Sequence, residues 1–270
     1  MIITSFANQK VKGIRKLEQK KFRQETGLFF IEGLRTVGEA VQVCAPIDSL
    51  VISPELLVSE FGQSLLNHPN VAEVGRIQIS REVYESIAHK DGPQGIGALV
   101  HQAWRNLNSI QSSDGDLWVA LDAVSDPGNL GTIMRTADAV GARGIILLGQ
   151  FTDPYDPTAV KASMGAIFSL DLVQADWTAF RTWQADQKIA LVGTSDSAKN
   201  DYHRATYPRP LVVLMGSERH GLSSEQQAVC DQMVYIPMSG RSDSLNLAVA
   251  TGVMLYEIFN QYRTREGSQS

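Results

Sequence analysis

The chain has 270 residues, room for one large domain or two small ones. It is 43% hydrophobic and 20% charged, enough apolar material for a folded core and no basis for wholesale disorder. No apolar run reaches the ~18–20 residues of a membrane span, and the start, Met1-Ile-Ile-Thr4, lacks the basic and apolar regions of a secretory signal. A soluble cytoplasmic protein is therefore expected. Cys44 and Cys230 lie in apolar surroundings and are expected as reduced, buried thiols. No Cys/His cluster has zinc spacing, so no metal is expected.

The net charge is −5, which taken alone argues against a nucleic-acid binder. Its distribution reverses that. Residues 1–23 hold Lys10, Lys12, Arg15, Lys16, Lys20, Lys21 and Arg23 against one acid, Glu18, a local charge of +6. Such an arm either meets RNA phosphates or is a solvated helix face.

In chain order, the periodicity predicts helix 8–23, strand 28–32, helix 33–44, strand 49–53, helix 54–67, strand 74–79, helix 80–88 and strand 95–101. Residues 103–116 are polar and aperiodic and read as a linker. The expected division is a first domain over 1–104, a linker over 105–116 and a second domain over 117–265. In the second domain, near-continuous apolar runs at 117–124, 144–149, 188–193, 211–216 and 232–237 alternate with helical stretches. Such runs suggest parallel strands buried on both faces, an α/β fold. Ligands of open α/β sheets bind beyond the carboxyl ends of the strands, which directs attention to the loops after 124, 216 and 236.

The first loop, Asp126-Pro-Gly-Asn-Leu-Gly-Thr-Ile-Met-Arg-Thr-Ala-Asp138, opens a helix. Asn129 is either a simple cap or part of a site, and Arg135 either a surface charge or an anion ligand. The second, Gly216-Ser-Glu-Arg-His-Gly-Leu-Ser223, is neither a P-loop nor a dinucleotide turn. Ser223 with Gln226 fits a capping box. Glu218 is a hydroxyl ligand or a base, whereas a lone His220 is more often structural. The third, Ile236-Pro-Met-Ser-Gly-Arg-Ser-Asp-Ser-Leu-Asn246, leads into a helix with small residues at Ala248, Ala250 and Gly252.

Taken together and in this order, the three loops resemble the SpoU family of RNA ribose 2′-O-methyltransferases, within the SPOUT superfamily. The resemblance spans about 117–262; Asn8 through Leu17, Phe29-Phe-Ile-Glu-Gly33 and Pro93-Gln-Gly-Ile96 also resemble the family's N-terminal L30e-like substrate-binding domain. It implies an L30e-like α/β domain followed by a SPOUT α/β domain with a parallel sheet and a deep C-terminal trefoil knot. It implies S-adenosyl-L-methionine as cofactor, held near Met215, Gly216, Ile236, Met238 and Leu245, with Gly216 letting backbone approach the ligand. It implies a homodimer through the SPOUT domain, with the active site formed across the interface. Catalytic and orienting roles would fall to Asn129, Arg135, Glu218, Ser244 and Asn246. Arg241 and the basic arm would contact RNA phosphates. The substrate implied is ribosomal RNA, the large subunit favoured over transfer RNA. A transfer-RNA enzyme or a non-catalytic RNA-binding relative are the alternatives.

Overall fold

The computed structural model describes residues 1–89 and 92–267, with side chains through Thr264. It divides into two compact units, one of residues 1–103 and 155–169, the other of 104–154 and 170 onward.

The first unit opens with helices α1 (Gln9–Lys16) and α2 (Lys20–Thr26) where a single helix was expected. Asn8 caps α1 by accepting the N–H of Lys10. The break at Leu17–Gln19 is held by Arg23, whose guanidinium donates to the carbonyls of Leu17 and Glu18 at 2.8 Å each. Those are carbonyls that the end of α1 leaves without helical partners. The unit continues through β1 (Leu28–Glu32), α3 (Leu34–Gln42), β2 (Ile47–Ile52), α4 (Glu60–Leu66), β3 (Gly75–Gln78), α5 (Arg81–Glu85) and β4 (Ile96–His101). The strands form one sheet in the order β1-β4-β2-β3, antiparallel except between β2 and β3. Val11, Ile14 and Leu17 of the α1 region pack with Val51, Ile77, Ile79 and Leu99 of the sheet. The helix expected over 54–67 starts only at Glu60. Turn bonds from Leu56 and Leu57 to the Ser53 carbonyl hold the chain first, and Ser59 then caps α4. Cys44 was expected to be buried; it lies past the end of α3, exposed, with φ +56°.

The second unit is an eight-stranded sheet, parallel at every pairing, built from β5 (Trp104–Arg105), β6 (Leu117–Asp122), β7 (Gly144–Leu148), β8 (Asp171–Ala175), β9 (Ala190–Thr194), β10 (Asn200–Asp201), β11 (Leu211–Met215) and β12 (Gln232–Tyr235). Their order is β10-β12-β9-β11-β6-β7-β8-β5. Helices α6 (Pro127–Ala139), α8 (Trp177–Asp186), α9 (Ser224–Ala228) and α10 (Leu247–Gly267) belong here, whereas α7 (Pro157–Ser163) lies in the first unit. Every residue of β7 and β11 is buried, the reason their sequences are continuously apolar. Residues 105–116, expected as a linker, are part of the fold. Arg105 sits in β5 beside β8, Leu107 and Ile110 are buried in the core, and the Trp183 indole donates to the Ile110 carbonyl at 3.0 Å. Strand β8 escaped the sequence reading because Asp171 and Gln174 interrupt its apolar run. α10 continues through Gly267, beyond the expected end of the domain at 265; residues 268–270 lie outside the described residues. Among the described residues, no helix is long and apolar enough to cross a membrane.

Candidate active site

The chain runs outward from β6 through β7 and β8, then returns to build β9, β11 and β12 on the other side, so the strand order reverses between β6 and β11. A reversal of this kind opens a crevice at the carboxyl ends of the strands. The three loops singled out above leave β6, β11 and β12 at that end.

After β6, Ala123 adopts φ +51°, a conformation rare for a residue with a side chain. Asp126 then caps α6, its Oδ1 accepting the N–H of Asn129 at 2.6 Å. After β11, the backbone of Ser217 exchanges two hydrogen bonds with Gly221, at 3.2 and 2.9 Å, closing a five-residue hairpin. A Cβ on Gly216 would stand 2.2 Å from the Gly221 carbonyl carbon. The hairpin folding back on itself is by itself enough to require glycine there. After β12, residues 236–246 lead to α10, which Asn246 caps: its Oδ1 accepts the N–H of Ala248 at 2.9 Å and of Val249 at 3.3 Å.

One chain of side-chain bonds ties the three loops together. The Asn246 Nδ2 donates to the Asn129 Oδ1 at 2.9 Å. The Asn129 Nδ2 donates to the Glu218 Oε1, and the Ser125 hydroxyl donates to the Glu218 Oε2 at 2.6 Å. Both arms of the Asn129 amide and both oxygens of Glu218 are therefore occupied. Glu218 acts here as a clamp between loops, each of its oxygens accepting from a different side chain of the loop after β6.

Beside this network lies a cavity of about 700 Å³. Its apolar wall comes from Met215, Ile236, Met238, Leu245, Leu247 and Ala250, and its polar wall from Thr194, Asp196, Ser217, Glu218, Asp243 and Ser244. The sequence reading thus placed Met215, Gly216, Glu218, Ile236, Met238, Ser244, Leu245 and Asn246 around one space. It missed Ser125 and the Thr194-Ser-Asp-Ser197 turn. The latter follows an apolar strand at β9, the same signal that selected the other three loops.

One expectation needs correction. Arg23, counted among the RNA contacts, is 1% exposed and committed to the Leu17 and Glu18 carbonyls and to Asp156 at 3.5 Å. Arg135 is not among the residues lining the cavity; it is exposed on α6, and its side chain has no hydrogen bond or ion pair among the described residues. Elsewhere on the arm, Arg15 donates to Ser86 at 2.6 Å, Lys16 lies 4.9 Å over the Phe22 ring, and Lys21 pairs with Glu25 at 3.8 Å. Lys10, Lys12 and Lys20 are exposed, as is Arg241 on the third loop. A Cβ added to Gly252 would meet the Thr136 Cγ2 of α6 at an ordinary 3.7 Å, so the helix pair does not require glycine. Among the described residues, no group of His, Cys, Asp and Glu could hold a metal ion.

Residues 116–256 match the SpoU rRNA Methylase family, and residues 8–98 match the MRM3-like substrate binding domain. The chain is 32% identical to the 23S rRNA (uridine(2479)-2′-O)-methyltransferase of Streptomyces viridochromogenes, over 91% of this chain and 87% of that protein. It is 27% identical to the 23S rRNA (guanosine(2553)-2′-O)-methyltransferase RlmP of Bacillus subtilis, over 95% of this chain and 98% of that protein. The S-adenosylmethionine-bound rRNA methyltransferase of Sinorhizobium meliloti superposes with a TM-score of 0.88 at 38% identity, over 96% of this chain and 97% of that one.

Proposed function

The chain belongs to the SpoU rRNA methylase family, and from that premise we propose that it methylates a ribose 2′-oxygen of large-subunit ribosomal RNA, with S-adenosylmethionine as methyl donor. The observation that carries the proposal is the bond chain Asn246–Asn129–Glu218–Ser125, which knits the family's three loops at the edge of the cavity.

The residues around the cavity suit the cofactor. A volume of about 700 Å³ lies within the range of small-molecule sites. Met215, Ile236, Leu245 and Ala250 offer an apolar wall for a flat heterocycle. Thr194, Ser217 and Ser244 offer hydroxyls for a ribose diol, and Asp196 and Asp243 carboxylates for a cationic amino-acid end. Bound S-adenosylmethionine supplies an electrophilic methyl group on a sulfonium.

The protein's part is chiefly positional. Holding a nucleophile in line with its target is worth up to ~7–11 kcal/mol in favourable cases. The Asn129–Glu218 clamp fixes the loop after β6 against that after β11, so the acceptor ribose meets a rigid rim. Ser244, beside Asn246 on the cavity wall, orients substrate or cofactor. The guanidinium of Arg135 offers only N–H donors in a planar fork, which suits it to hold an RNA phosphate bidentately rather than to take a proton.

We further propose a homodimer in which Arg135 of one copy serves the cavity of the other. Its support is the placement of Arg135 outside its own cavity lining, together with exposed apolar residues on α10, Val249 at 52% and Tyr256 at 48%. The trefoil knot belongs to the same proposal. β12 pairs with β9 while α10 packs on α6 and β11, so residues 236–246 cross the carboxyl ends of the intervening strands. The cytoplasm, where ribosomal RNA is assembled into particles, is the proposed site of action.

A thermal shift tests the cofactor. S-adenosylhomocysteine at a hundredfold excess over its Kd should raise the Tm by about 5 °C or more, and NAD should leave it unchanged. The opposite pattern contradicts the proposal.

A further inference from the structure

We infer that the first unit holds a single unpaired nucleotide of the RNA substrate in a cleft between α3 and α4, its base on Phe61 and its phosphate on Arg35. The inference rests on the methyltransferase reading above and adds a recognition site to it.

The cleft has a volume of about 440 Å³ and is lined by Leu34, Arg35, Glu39, Gln42, Phe61 and Gln94. Phe61 is 49% exposed, unusual for a phenylalanine seated on a helix. One edge of its ring lies against α3, where a Cβ added to Gly38 would stand 3.2 Å from the Phe61 Cζ. An aromatic ring seated against a helix yet half in solvent offers a face on which an unstacked base can stack. Arg35 is exposed at the same cleft and has no carboxylate partner among the described residues. An unpaired guanidinium is a bidentate phosphate ligand.

The polar lining supplies a base edge. The Gln94 Oε1 accepts the N–H of Leu34 at 3.0 Å, which fixes the amide and leaves its Nε2 as a donor without a partner among the described residues. Gln42 adds a second amide and Glu39 an acceptor for base N–H groups. Platform, cation, donor and acceptor thus converge in a space of nucleotide size. Another cleft of this unit, of about 420 Å³ beside Lys10 and Arg76, has no aromatic in its lining. There Arg76 already donates to the Leu66 carbonyl at 2.6 Å.

The test uses the full chain and ribosomal RNA from a strain lacking this protein. Phe61→Leu and Arg35→Gln are expected each to raise KM for RNA, the former about 5- to 150-fold, the usual range for loss of one base–aromatic stack. Cofactor affinity, kcat and Tm should stay at wild-type values, because no residue of the cleft lines the cofactor cavity. Phe61→Tyr should keep the wild-type KM. Arg35→Gln should also lower the slope of log affinity against log salt by about one, the signature of a lost phosphate contact. Wild-type KM in both Phe61→Leu and Arg35→Gln, with the parent enzyme active, overturns this inference alone. A joint fall of Tm and kcat in Phe61→Leu and Phe61→Tyr assigns the ring a structural role and also overturns it. A parent protein that methylates no RNA overturns the reading beneath.

Discussion

Asn246 and Asn129, 117 residues apart in sequence, share a hydrogen bond of 2.9 Å at the meeting point of three loops. Asn246 has two duties there, because its Oδ1 also caps α10 through Ala248 and Val249. The two duties are separable. Asn246→Asp keeps a capping oxygen but offers no N–H to Asn129. It should retain the wild-type Tm and lose most of kcat. Asn246→Ala should lose kcat and also about 1 kcal/mol of stability, the usual cost of a missing N-cap. Unfolding curves and single-turnover methylation separate the two. Full activity in Asn246→Asp would dissociate the bond from catalysis.

Arg135→Ala should abolish methyl transfer while leaving S-adenosylhomocysteine binding intact, since the side chain is not part of the cavity lining. If the partner copy supplies this arginine, co-expressed Arg135→Ala and Asn246→Asp chains should recover about a quarter of wild-type activity. Half of the dimers are then mixed, and each carries one complete site. Recovery is read as methyl incorporation by the purified mixture, and its absence would place Arg135 in its own subunit's site.

The basic arm contains two kinds of residue. Lys10, Lys12 and Lys20 are exposed, and converting all three to Gln should weaken RNA binding and flatten its salt dependence by about two log units per log unit of salt. The methylated position should not change, because phosphate contacts carry no sequence information. Arg23→Ala should behave differently. It strips two carbonyls and Asp156 of a buried donor and should cost about 3 kcal/mol of stability. Denaturant unfolding and salt-titrated binding separate the two classes.

Much of the catalytic unit was legible because its strands are buried on both faces and read as uninterrupted apolar runs, as at β7 and β11. The loops leaving them were legible because chemistry in such sheets gathers at one end. What failed to show did so for local reasons. A buried arginine looks like an exposed one in sequence, so Arg23 was counted with the arm and the break between α1 and α2 went unseen. Leu107 and Ile110 are too few to mark residues 105–116 as core. The assignment of residues 155–169 to the first unit rests on Tyr155 and Phe168 packing on Phe29 and on Asp156 meeting Arg23, contacts of long sequence separation. Phe61 and Arg35 carry no motif at all.

Gly216→Ala tests the hairpin. The added methyl would collide with the backbone at Gly221 and Leu222, at 2.2 and 2.4 Å, which cannot be relieved by a side-chain rotation. The variant should lose S-adenosylhomocysteine binding while its far-ultraviolet dichroism remains native. Wild-type affinity would show that the hairpin does not shape the cofactor site.

The two thiols should react very differently. Cys44 is exposed, whereas burial pushes the Cys230 thiol up to about 11, and its Sγ lies 3.2 Å from the Gln226 carbonyl. A raised pKa leaves little thiolate at any pH well below 11, so at pH 8 iodoacetamide should label Cys44 first and Cys230 only on unfolding. Peptide mapping of the alkylated protein reads this directly; equal rates would contradict the half-buried setting of Cys230.

The central claim is tested most directly by transfer of labelled methyl from S-adenosylmethionine to ribosomal RNA, naked and in large-subunit particles, from a strain lacking this protein. The modified position is mapped by its resistance to alkaline cleavage. The predicted result is one new alkali-resistant position in the large-subunit RNA, absent with Arg135→Ala. No incorporation into either substrate, or label on a base with the neighbouring bond still cleaved by alkali, would contradict it.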